Sequence, residues 1–193
     1  MRRARDGGLL DIGSLDKVLV RCILEHAHDF AWTIQDVGLL GLRLDEEREY
    51  RLHVWAPERS VGPPVIHDHP FDFVSRIVAG EMTNVRYVQD ATGATYLRDR
   101  YSPPDEVHRT TDTVQLVGAS ETCRDGDEYA QLAHELHESH QAPGTVTILR
   151  RRFRDVGELT VCRPRGVPWV SGLSRPATSD EVRDITSAAL NWF

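Results

Sequence analysis

Ile66-His67-Asp68-His69 is the stretch on which the reading of this chain turns, with His137 as its distant counterpart. Two histidines at i and i+2 on a β-strand point to one face, about 6–7 Å apart along it. At that spacing both imidazoles can reach one metal ion, for which nitrogen bonds of ~2.0–2.1 Å are typical of zinc. A third histidine from a neighbouring strand would complete a face of three nitrogens and leave positions open for substrate or oxygen. The stretch therefore predicts a metal site on a β scaffold.

The sequence on either side agrees with that scaffold. From about Ala31 onward, short apolar runs are separated by turn residues, the habit of an antiparallel β fold. Candidate strands are 37–44, 50–55, 65–78, 82–88, 95–101, 113–117, 144–150 and 159–162. Gly62-Pro63-Pro64, Asp90 to Gly93, and Arg124-Asp125-Gly126-Asp127 are turn signals between them. A helix is predicted over about 14–30, with Ser14 as its cap and Leu15, Val18, Leu19, Cys22, Ile23 and His26 at helical spacing. Beyond Arg163 the chain becomes loop-like, with Pro164, Gly166, Pro168, Gly172 and Pro176. A last helix begins near Thr178, which forms a capping-box pattern with Glu181, and Val182, Ile185, Ala189 and Trp192 make its apolar stripe. The chain reads as one domain over 1–193: a helix, a β-barrel or sandwich over about 37–162, then a loop and helix over 163–193.

Composition narrows the partners. The 193 residues are 40% hydrophobic and 27% charged, ordinary for a soluble globular protein. A formal charge of −7 argues against nucleic acid or an anionic membrane as partner, since both need a basic surface. The cluster Arg150-Arg151-Arg152 with Arg154 follows the apolar run Val146-Thr147-Ile148-Leu149. It reads as a strand end meeting solvent, with a carboxylate- or phosphate-binding edge as the alternative. Cys22, Cys123 and Cys162 match no zinc-ribbon or CxxC pattern and predict no disulfide framework. Cys22 lies on the apolar side of the first helix and is expected to be buried, whereas Cys123, in a hydrophilic turn, is expected to be exposed. Trp32, Trp55, Trp169 and Trp192 read as core and interface anchors. No run approaches the ~18 apolar residues of a membrane span. Met1-Arg2-Arg3-Ala4-Arg5 is basic, but Gly8-Leu9-Leu10 is broken at once by Asp11, too short for a signal-peptide core. The expected location is cytoplasmic. No phosphate-binding, dinucleotide or serine-hydrolase motif occurs.

Around the histidines the chain resembles the cupin superfamily. The first cupin motif has the form G-x5-H-x-H-x3-E-x6-G. His67, His69 and Gly80 fall in register, Phe73 stands at the glutamate position, and the leading glycine is displaced to Gly62. The second motif has the form G-x5-P-x-G-x2-H-x3-N, and Gly126, Leu132, His134, His137 and Gln141 stand at its marked positions. The resemblance spans roughly 50–162 and implies a jelly-roll barrel. It implies further that His67 and His69 sit on one strand inside, with His137 coming from a facing strand, and that the protein is a homodimer, as many cupins are.

With Phe73 in place of the carboxylate, the face of three histidines stays neutral. This variation looks like the thiol dioxygenases, of which cysteine dioxygenase is the familiar example. The resemblance implies Fe(II), with O2 and a small thiol- or carboxylate-containing substrate as partners. Zn, Mn or Ni in the same site would instead suit an isomerase, cyclase or lyase. A non-catalytic small-molecule-binding cupin is the remaining reading. Phe73 would fill the vacated position and keep that side of the metal dry. Asp72, one step along the strand, turns to the opposite face. His134 and His140 compete with His137 for the third ligand, because 134–140 can also be read as a solvated helical turn. Arg51, His53 and Trp55 alternate on the strand before the motif. If that face looks inward, Arg51 or His53 would bind an acidic group of the substrate. Arg76, Arg86, Tyr87, Tyr96 and Tyr101 are further pocket candidates.

Overall fold

The structure, a computed structural model, describes residues 17–46, 49–101, 109–153, 158–167 and 174–193. Ser14, the basic N-terminal run, Arg154 and Trp169 lie outside the described residues, as does the side chain of Tyr101. Helix α1 (Lys17–Glu25) and a 3-10 turn (Ala27–Asp29) precede β1 (Thr33–Gln35), β2 (Leu39–Arg43), β3 (Tyr50–Trp55), β4 (Ile66–His67) and β5 (Phe71–Ala79). Then come β6 (Glu81–Tyr101), β7 (Arg109–Arg124), β8 (Glu128–Gln131), β9 (His137–Gln141), β10 (Val146–Phe153), β11 (Leu159–Arg163), β12 (Ser174–Pro176) and helix α2 (Ser179–Leu190).

All these strands pair antiparallel, in two sheets. One has the order β12-β1-β2-β3-β10-β5-β8, and the other β11-β4-β9-β6-β7. The pairings from β3 to β10 are nested: β6 with β7, β5 with β8, β4 with β9, β3 with β10. The segment is therefore one long antiparallel hairpin with its tip at β6–β7, its two arms rolled so that successive rungs alternate between sheets. β11 adds a further tie, pairing with β4 on one side and with the second half of β6 on the other.

Alternation along the strands divides the core. Tyr50, Leu52 and Val54 of β3 join Val146 and Ile148 beneath the helices, together with Val20 and Leu24 of α1 and Val182, Ile185 and Ala189 of α2. On the other face of that sheet, Phe73, Ile77, Tyr129 and Leu149 pack against Met82 and Cys123 of the second sheet, with Trp55 and Phe71 at the border. This cluster lies between the sheets. A third cluster, Ile66, Val114, Leu116 and Cys162, lies on the second sheet with Tyr87, Tyr96 and Leu136.

Several boundaries differ from expectation. The first helix stops at Glu25, not near Phe30, because His26 leaves helical dihedrals (φ −109°, ψ 29°). Its buried residues are Val20 and Leu24, so Cys22, two positions past Val20 and about 200° around the helix, is exposed. The predicted strand 65–78 is two strands, interrupted at Asp68-His69-Pro70. The predicted strands 82–88 and 95–101 are one: Gln89 and Ala94 both face Leu116, and Asp90 to Gly93 form an excursion within β6. Asp90 fixes that excursion by accepting from the Thr92 backbone N–H and hydroxyl at 2.8 and 2.7 Å. A Cβ on Gly93 would lie 2.3 Å from the Leu116 carbonyl oxygen, so only glycine allows the approach. β7 runs on to Arg124, which carries Cys123 opposite Met82 into the core instead of a turn. β1, β8, β9 and β12 are short and largely polar, and their alternation is too brief to show in the sequence.

Candidate metal centre

The rolled hairpin brings two distant stretches together. His67, at the end of β4, is the cross-strand partner of His137, the first residue of β9. His69 is not on the same strand as His67; it sits in the connection between β4 and β5. Even so, the ring centroids are 4.8 Å apart for His67 and His69, 4.6 Å for His67 and His137, and 5.0 Å for His69 and His137. One nitrogen from each lies within 4.8 Å of the others, so the group can hold a metal ion. Bonds of about 2.1 Å keep any two ligand atoms within about 4.2 Å, so the rings would have to close in slightly around an ion.

Hydrogen bonding selects which nitrogens are available. His67 Nδ1 is 2.9 Å from the Val65 carbonyl oxygen, and His137 Nδ1 is 3.2 Å from that of Glu135. A carbonyl only accepts, so each Nδ1 carries the proton and each Nε2 keeps its lone pair for an ion. Burial lowers the pKa of all three rings. For His67 the Val65 carbonyl partly opposes it. His69 is held well below its ordinary value by burial, then by the His67, His137, His53 and Arg151 charges. Burial, followed by His67, brings His137 down to about 3. Neutral imidazoles are the form that ligates. His137 is buried, whereas His67 and His69 keep partial exposure on the approach side.

The rivals for the third position are placed elsewhere. His134 is exposed, with Nδ1 3.4 Å from an Asp68 carboxylate oxygen, and His140 is exposed beside Glu138 at 3.2 Å. Asp72 turns away from the ring cluster, and its carboxylate accepts the Ala133 N–H at 3.0 Å. Phe73 does border the histidines, its ring centroid 5.6 Å from His69 and 6.1 Å from His137. Phe71 stacks on His69 at 4.9 Å with an interplanar angle of 15°.

Arg51, His53 and Trp55 share the inner face of β3, since Trp55 packs into the cluster between the sheets. His53 meets Trp55 edge-on at 6.0 Å, and burial, then Arg51, then Arg151 lower its pKa to about 3. Of the other pocket candidates, Tyr87 donates to Glu138 at 2.7 Å and packs with Tyr96 in the third cluster, away from the histidines. Arg86 is exposed and donates to the Ala130 carbonyl at 2.6 Å. Arg76 alternates with Phe73, Ser75 and Ile77, on the outward side of β5 with Val74 and Val78.

Two residues of the site are not evident from the sequence reading. Arg151, read there as a strand end meeting solvent, is buried at 8% exposure, with its guanidinium 5.3 Å from the Phe71 ring centroid. Extending β10 to Phe153 by strict alternation from Thr147 puts Leu149 and Arg151 on the inner face, and that signal was available. Asp68 is buried between the two histidines, accepts the Thr160 N–H at 2.8 Å, and donates its own N–H to the Thr160 carbonyl at 3.1 Å. It fixes the histidine-bearing connection to β11. Among the described residues, no helix is long and apolar enough to cross a membrane. In comparisons with known proteins, no family model matches the chain, and no curated protein matches it.

Proposed function

We propose that the chain is a cupin-like metalloenzyme of the jelly-roll type, using His67, His69 and His137 on Fe(II) to oxidise a small thiol- or carboxylate-containing substrate with O2. The nested order of β3 to β10 across two sheets supports the jelly-roll reading. The observation that carries the functional reading is the donor set: three neutral imidazoles with a phenyl ring, not a carboxylate, at the fourth side. Such a face leaves an ion its full positive charge, which favours an anionic chelating substrate. When bound by His67, His69 and His137, Fe(II) would supply the redox chemistry by which a chelating substrate reacts with O2. The chain's own contribution is to exclude water with Phe71 and Phe73. Arg51 and Arg151 set positive potential along the wall that holds His53 and His69.

Anaerobic reconstitution with Fe(II), followed by O2 uptake against a panel of small thiols and carboxylates, tests the reading. Substrate-dependent O2 consumption that disappears in His67→Ala supports it. Turnover with Zn(II), Mn(II) or Ni(II) without O2 uptake would move the site to isomerase, cyclase or lyase chemistry. Ligand binding that survives His67→Ala would make the chain a binding protein.

A further inference from the structure

We infer that Asp72 is a positioning residue for the metal centre, holding the His69 connection against the segment that leads into His137 so that the two rings converge. The inference rests on the metal-centre reading above and adds a role for a carboxylate that is not itself among the clustered ligands.

The need for such a residue follows from the fold. His67 and His137 are fixed by the β4–β9 ladder, but His69 lies between strands and has no ladder of its own. On its other side, the β5–β8 pairing ends at Phe73 and Gln131. Asp72 and Ala133 lie just past that end. There the Asp72 carboxylate takes over from the ladder, accepting the Ala133 N–H at 3.0 Å. The next residue, His134, donates its N–H to the carbonyl of His69 itself at 3.1 Å.

Two successive N–H groups of the β8–β9 connection are thus fastened to the stretch that carries His69. The geometry is held against local strain: His134 has φ +64°, the only positive φ at a non-glycine among the described residues. From His134 the chain runs on through Glu135, whose carbonyl faces His137 Nδ1 and also accepts from the Gln131 side chain at 3.2 Å. A carboxylate accepting a backbone N–H makes a charge-assisted bond, stronger than a neutral one. Asp72 stands at the start of this chain of contacts, and loss of its acceptor frees Ala133, then the His134–His69 bond, then the approach of His69 to His137.

Co(II) titration under anaerobic conditions tests this, reading both affinity and the visible ligand-field spectrum, with the melting temperature of the metal-free protein alongside. Asp72→Ala and Asp72→Leu remove the acceptor. We expect each to weaken Co(II) binding about 10–100-fold, the range seen when groups that orient metal ligands are removed, and to alter the spectrum. Asp72→Asn keeps an oxygen that accepts from Ala133 and is expected to restore the spectrum and bring affinity back to within a few-fold of the parent. Val182→Ala, in the helix-covered core, supplies a destabilised control whose Co(II) spectrum stays unchanged.

Parent-like affinity and spectrum in Asp72→Ala would overturn the inference, as would an Asp72→Asn variant no better than Asp72→Ala. Failure of both non-acceptor variants to fold, with Asp72→Asn folding normally, would assign Asp72 a purely structural role. Parent protein that takes up no Co(II) would remove the metal-centre reading itself, an outcome distinct from the others.

Discussion

His67 and His137 are direct cross-strand partners on β4 and β9, with ring centroids 4.6 Å apart. Their meeting follows from the nested pairing of the rolled hairpin, which matches strands far apart in the chain rung by rung. Neither ring is delivered by a flexible loop.

That placement separates His137 from its neighbour in sequence, His134. His137→Ala is expected to drop bound Co(II) or Zn(II) from about one equivalent to near zero, measured by elemental analysis after gel filtration. His134→Gly, at a φ of +64° that glycine adopts freely, should retain the full equivalent. Loss of metal in His134→Gly with retention in His137→Ala would reverse the assignment.

Phe73 offers a test of the neutral donor set. Phe73→Ala empties a buried site beside His69 and His137 and should destabilise the fold by about 3–5 kcal/mol, with or without metal, in urea denaturation. Phe73→Glu should behave differently: burying a carboxylate costs free energy that its cross-strand neighbour Arg151 offsets only in part in the metal-free protein. Mn(II) or Ni(II) should recover much of that loss and bind more tightly than to the parent. An equal loss with and without Mn(II) would show that position 73 does not face the ion.

His53 predicts an acid-sensitive term in stability. Burial, Arg51 and Arg151 keep its folded pKa near 3 against an ordinary 6.5. Below about pH 6.5 the unfolded chain takes up a proton that the folded ring refuses until about pH 3. This contribution therefore lowers stability as pH falls, by about 2 kcal/mol at pH 5. His53→Gln should flatten the stability profile between pH 7 and 5 by roughly that amount, read from denaturant midpoints at each pH. An unchanged slope would mean that His53 is solvated.

Gly80, the turn between β5 and β6, has φ +92°, and a Cβ there would fall 2.6 Å from Thr145 Oγ1 and 2.9 Å from Thr145 Cα. Gly80→Ala combines backbone strain with a clash against backbone, so a loss above about 1 kcal/mol is expected. A melting temperature within one degree of the parent would contradict it.

The β character, the terminal helices, the Thr178–Glu181 cap and the three clustered histidines were all legible in the sequence, because each rests on local spacing or on a motif. What escaped depended on partners far along the chain. The short polar strands β8 and β9 are extended only because β5 and β4 lie beside them. Arg151 looked solvent-bound because three arginines in a row suggest a surface, yet alternation sends the middle one inward beside Phe71. Cys123 changed sides once β7 proved longer than its apolar run. The i, i+2 argument picked out two histidines that do cluster, but for an incomplete reason: Pro70 and Asp68 interrupt the strand, and His69 arrives from the connection.

The three clustered histidines come from opposite arms of the rolled hairpin, His67 and His69 before its tip and His137 after it. An ion held among them would bridge the two arms and bind the folded chain in preference to the unfolded one, so unfolding would have to break that bridge. Metal should slow unfolding as well as raise the melting point, even with no substrate present, and a chelator should reverse both.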